Sequence, residues 1–197
     1  MAASQFSTPQ WPQASVAFKG NMSVNGYPAG PKDSYMTLGG FIDPNDLNNA
    51  SLFVAPFGNF VSALPATPDA LVLGIPSGYI PRGVLMVDES IMYNEPAKAT
   101  GYGVGLDATF FIRGFIRLSS WSALGAGSQV TPTINSVPIV NIASGYIEFQ
   151  PAGTVSAPAG FAILNTGNGN NVLKVADVDS LLGVTSVGGI LLYLQTY

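Results

Sequence analysis

The chain has 197 residues, 23 of them Gly and 15 Pro, with 9% charged residues, a formal net charge of −4, and neither Cys nor His. Lack of Cys excludes disulfides and thiolate metal sites, and lack of His removes the usual proton shuttle near neutral pH and the commonest metal ligand. The negative balance disfavours a general affinity for nucleic acid or for anionic lipid. The length suits one domain, or one domain with an arm, and is enough to bury roughly 70% of the surface of the unfolded chain. The Gly and Pro content argues for many turns and against long helices. With so few charges, where a soluble domain averages about 25%, the surface is left uncharged-polar or apolar. Such a surface protects a lone molecule poorly from association, so partners are expected to cover much of it.

Residues 1–35 read as an extended N-terminal arm. Pro9, Pro12, Pro28 and Pro31 break any helix. Phe6, Trp11 and Phe18, strung on a polar segment, are candidates to dock into pockets of the same subunit or a neighbour. Residues 1–16 lack the basic start and apolar stretch of a secretory signal. No apolar run reaches the roughly 18 residues of a membrane helix, so no membrane association is expected.

Residues 36–197 read as one all-β domain. A first strand is expected over 35–42, with Gly39-Gly40 as a bulge or close approach. Asp43-Pro44-Asn45-Asp46 is a turn. Short strands follow at 52–54, 59–63 and 70–73, the last running into the turn Ile75-Pro76-Ser77-Gly78. A strand opens at Gly83. After a polar loop at 93–98, Gly101-Tyr102-Gly103-Val104-Gly105 reads as a flexible turn; a phosphate-cradling loop needs a following helix, and none is predicted. Residues 138–142 and 146–149 form a strand pair turned at Ala143-Ser144-Gly145. Strands at 161–164 and 172–175 flank a loop at 165–171. Residues 177–182 fit a single helical turn capped by Asp177, and 189–195 a final apolar strand. Short strands with turn signals throughout make a compact β-barrel or β-sandwich with an extended N-terminal arm.

The densest signal is the run 109–118. At a period of two, Phe110, Ile112, Gly114, Ile116 and Leu118 form an apolar face, while Phe111, Arg113, Phe115 and Arg117 alternate aromatic and cationic groups on the other. Two of the chain's three arginines thus share one side of one strand. Three readings follow. The face stacks single-stranded bases, as aromatic and Arg side chains on a sheet can. It meets an acidic or carbonyl-rich surface of a protein partner, where Arg and aromatics are favoured anchors. Or its arginines pair with carboxylates on a neighbouring strand. The scarcity of other cations places nucleic acid last.

Catalytic chemistry finds little support. Asp88 and Glu89, adjacent on an extended segment, point to opposite faces. Asp43 and Asp46 belong to a turn whose backbone they can hydrogen-bond. A calcium site there or in 165–171 would lack the dense spacing of acidic ligands. No catalytic residue, cofactor or metal is assigned, and no enzyme activity is expected. A surface module stacking carbohydrate on Trp121 or on Tyr residues, or binding another virion or tail protein, is the alternative to a purely structural role.

The order of features resembles a known family. A Gly-led strand (Gly83 to Asp88) precedes a polar stretch with Asn94, then Tyr102 and Gly105, then a strand with the basic-Gly step Arg113-Gly114 followed by Phe115-Ile116-Arg117-Leu118. Upstream, Pro28-Ala29-Gly30-Pro31-Lys32-Asp33-Ser34-Tyr35 enters the first strand before Leu38-Gly39. This pattern, over about residues 25–165, is similar to that of the structural cement, or head decoration, proteins of tailed phages. The long arm and the segment after Asn165 depart from it. The resemblance implies an all-β module, commonly a homotrimer and without cofactor, on the outer surface of the virion. There it would clamp neighbouring subunits of the major capsid protein.

Overall fold

The computed structural model describes residues 26–28, 35–46, 48–49, 54–87, 101–118, 132–164, 171–178 and 190–196. In chain order the strands are β1 (Tyr27–Pro28), β2 (Met36–Ile42), β3 (Val54–Pro56), β4 (Phe60–Leu64), β5 (Thr67–Leu73), β6 (Ile80–Leu85), β7 (Gly101–Gly103), β8 (Asp107–Leu118), β9 (Val137–Asn141), β10 (Ile147–Gln150), β11 (Phe161–Ala162), β12 (Asn171–Val178) and β13 (Ile190–Thr196). There is no helix among the described residues. The all-β expectation holds, and of its two forms the barrel is the one formed.

Five strands close on themselves in the order β8-β2-β5-β4-β6 and back to β8. The pair β2–β5 is parallel, with Phe41 opposite Ala70 and Ile42 opposite Leu71; the other pairs of the ring are antiparallel. Closure removes the open edges that a five-stranded sheet would otherwise present. Beyond the ring, the second half of β8 pairs with β13, and β13 with β12. Residues β10-β9-β11 form a separate three-stranded sheet, and β3 pairs with β7.

The barrel wall is buried on both sides. Val61, Leu85 and Phe110 point inward, into a core shared with Ile42, Leu71 and Leu73. Their immediate neighbours Phe60, Val84 and Phe111 point outward into a second core with residues of β9, β10, β12 and β13. Adjacent strand residues face opposite ways, so an apolar pair at the same level on three strands requires a cover on each side. The three-stranded sheet and the β12–β13 ribbon supply the outer one.

One loop residue closes a gap in the hydrogen bonding of β5. Asn49 is fully buried. Its Nδ2 donates to the carbonyls of Asp43 (2.8 Å) and Leu71 (3.0 Å), and its Oδ1 accepts from Leu73 N–H (3.2 Å). Asn48 Nδ2 adds a bond to Leu73 O. Beyond the short parallel pairing with β2, side-chain amides thus act as the missing strand.

Several local expectations need correction. Residues 101–103 are strand β7 rather than flexible turn; only Val104 and Gly105 turn. Asp177 lies in β12, not at a helix cap. Within the expected arm, Tyr27–Pro28 pairs with Arg117 and Ile116 of β8. Gly40 makes a close approach, 2.8 Å from Asp69 O for an added Cβ, but the bulge on β2–β8 lies at Met36/Thr37 instead. The Asp43–Asp46 turn forms as read, with Asp43 Oδ1 accepting from Asn45 N–H and Asp46 Oδ1 from Asn48 N–H.

Candidate functional site: the face beside the barrel mouth

A bulge in β8 creates the site. Thr37 stands opposite Phe111 and Met36 opposite Arg113, which leaves Ile112 as the extra residue on β8. An extra residue reverses which face the following side chains take. Gly114 follows at φ 123°, a conformation that glycine adopts without a Cβ penalty. Before the bulge Ala108 and Phe110 face the barrel interior; after it Ile116 and Leu118 join Phe111 in the outer core. The continuous apolar face expected at 110, 112, 114, 116 and 118 is therefore split between two cores.

Among the candidate partner residues, Phe111 is corrected outright. It is fully buried, and Tyr35 packs its ring edge-on at 5.5 Å. Arg113 and Phe115 are exposed, and they continue, past the bulge, the side of the sheet that lines the barrel further down. The backbone of Arg117 lies in β8 opposite Tyr27 and Leu191, and that backbone is all the structure describes of it. Phe6, Trp11, Phe18 and Trp121 lie outside the described residues.

The neighbours of Arg113 and Phe115 follow from register. Lys174, Tyr193 and Phe115 stand in one row across β12, β13 and β8; Val172, Gln195, Arg113 and Met36 form the next. Directly opposite residues share a face, so both rows lie on the side away from the outer core. Phe115 meets Tyr193 edge-on at 5.4 Å, and Lys174 Nζ lies 5.3 Å from the centre of the Tyr193 ring. Tyr193 O–H donates to Gln195 Oε1 at 3.0 Å.

The same side of β2 carries Met36 and Leu38. Inward-facing residues of a closed barrel are normally covered, yet these are 51% and 42% exposed. They therefore mark the rim where the barrel opens. Inside that rim Arg82 of β6 sits over Phe110, its guanidinium 5.8 Å from the ring centre. Arg82 Nε is buried without a hydrogen-bond partner. Thr196 fastens the end of β13 here, its hydroxyl donating to Arg82 O.

The electrostatics are one-sided. Lys174, Arg113 and Arg82 are the three cations whose side chains are described, and all three belong to this mouth and face. Among the described residues Arg113 makes no ion pair, so the neighbouring-strand pairing read from the sequence does not form there. Asp43 and Asp107 stand at the far ends of β2 and β8. Sequence reading missed Met36, Leu38, Arg82, Lys174, Tyr193 and Gln195, because their meeting depends on the pairing of β8 with strands distant along the chain. An alternating Lys174-Val175 and Tyr193-Leu194 pattern was the available hint.

No group of Asp, Glu, His or Cys among the described residues is placed to hold a metal ion. Searches against protein-family models and curated proteins find no match to this chain.

Proposed function

We propose that the protein is a structural component of a phage virion, a decoration or cement protein. It binds the outside of the head and stabilises contacts between major capsid protein subunits, with the face beside the barrel mouth as a contact surface. The observation that carries this reading is the exposure of Met36, Leu38 and Phe115 around an Arg113 that has no ion-pair partner among the described residues. Exposed apolar side chains grouped with arginine and tyrosine are the composition of an interface core. A rigid, doubly cored wall behind the face keeps the cost of ordering it on binding low. In this reading the protein acts without a cofactor and as a homo-oligomer, with a trimer favoured by the family pattern. It is made in the host cytoplasm and ends on the capsid surface.

The test is reconstitution. Purified protein is mixed with expanded shells of the major capsid protein encoded in the same genome, and occupancy is read by sedimentation and shell melting by calorimetry. Saturable binding with a raised shell melting temperature is the expected result. Shells that stay bare, with unchanged melting, refute the proposal.

A further inference from the structure

We infer that the face beside the barrel mouth takes a polypeptide segment rich in carboxylates with apolar side chains between them, such as an extended acidic stretch of a partner protein. The inference deepens the capsid reading and rests on it for the partner's identity, but its chemistry comes from the face itself.

Charge supplies the first argument. In a chain of net charge −4 with only seven Lys and Arg, the three described cationic side chains gather at this one place. Cations without an ion-pair partner among the described residues attract carboxylates, and the guanidinium fork of Arg113 matches a carboxylate in a bidentate manner.

The aromatic geometry supplies the second. A base or a sugar ring stacks on an open aromatic face. Here Lys174 occupies a face of Tyr193, Arg82 occupies a face of Phe110, and Phe115 and Tyr193 are engaged edge to face. Lys174, held over Tyr193, and Arg113 are both exposed and keep their N–H donors available. The result is a lattice of donors separated by Phe115, Met36 and Val172, which suits alternating acidic and apolar side chains at strand spacing. Lys174 and Arg113 lie in neighbouring rows and on strands two apart, so a strand crossing the ribbon diagonally reaches both.

The experiment uses the full chain and a fluorescein-labelled peptide of about eight residues, alternating Glu and Val, read by anisotropy; that length spans both rows at about 3.3 Å per residue. Controls are the same peptide with Gln for Glu and an oligothymidylate of similar length. Expected are binding of the Glu peptide, roughly tenfold weaker binding of the Gln peptide, and weakening between about 50 and 300 mM NaCl. Arg113→Gln and Lys174→Gln should each weaken binding about threefold, with urea melts matching the parent chain. Equal affinity for the two peptides, no binding of either, or tighter binding of the oligothymidylate overturns the inference. Shells are titrated separately. A protein that takes the peptide and ignores the shells overturns the capsid reading and leaves this one standing. A protein that coats the shells with an affinity indifferent to salt and to both substitutions overturns this one and leaves the capsid reading standing.

Discussion

Phe110 and Phe111 are consecutive in the chain, both fully buried, and belong to different cores: Phe110 fills the barrel and Phe111 is packed between the barrel wall and the outer strands. Neither ring is a surface group. Phe110→Ala and Phe111→Ala should each cost about 3–5 kcal/mol, whereas Phe115→Ala, on the exposed face, should cost less than about 1 kcal/mol. Urea denaturation of the three variants checks this, and a Phe111→Ala variant as stable as the parent would contradict the two-core arrangement.

Asn49 stands in for a strand, so its amide chemistry and not its bulk is what matters. Asn49→Ala strands the Asp43 carbonyl and the Leu73 N–H and leaves the Leu71 carbonyl with only the Asp43 N–H, for a loss of about 2–4 kcal/mol. Asn49→Asp keeps the shape but turns an oxygen toward the Asp43 and Leu71 carbonyls, and should be at least as harmful near neutral pH. Amide hydrogen exchange at Leu73, whose N–H is held by Asn49 Oδ1, should quicken in both variants.

The seam between β6 and β8 depends on Gly83. A Cβ there would overlap the Phe111 carbonyl oxygen, a backbone atom that cannot swing aside. Gly83→Ala should therefore part the seam and cost several kcal/mol, of order 3. Gly39→Ala is the matched control, since a Cβ at Gly39 meets nothing within 4 Å and should change stability by no more than about 0.5–1 kcal/mol. Thermal melts of the pair make the comparison.

Glu148, on β10, is buried, and burial raises its carboxyl pKa above the ordinary 4.5. The folded state then holds this proton more tightly than the unfolded chain does. The contribution to stability is fully present below pH 4.5 and is lost as pH rises through the raised folded value. Glu148→Gln should accordingly stabilise the protein at pH 7, where the parent holds a buried charge, and raise its Tm. It should also flatten this part of the stability profile, as melts across the mildly acidic range would show.

Much of the strand plan was legible because turn chemistry marks it: the Asp43–Asp46 turn, the Ile75–Gly78 turn and the turn at Ala143-Ser144-Gly145 form where Asp, Pro, Ser and Gly fall. The exposed position of Arg113 was also legible, since charge resists burial, and Phe115 was read on the same side of the strand. Phe111 was misread because a period of two assumes one core and no bulge. The sequence around Ile112 marks the spot only through the interior Gly114, which does not say which residue is the extra one; the pairing with Met36 and Thr37 sets that. The rest of the face draws on β2, β6, β12 and β13, and pairing between such distant segments is set by packing.

The pairing of β8 with β13 also governs how the protein is made. Leu118 is made 72 residues before Ile190, its ladder partner on β13. At about 5–20 residues per second, this edge of β8 waits roughly 4–14 s for the strand that satisfies its backbone groups. A product cut short within that interval keeps an open strand edge, so premature termination should yield sticky fragments rather than smaller working proteins.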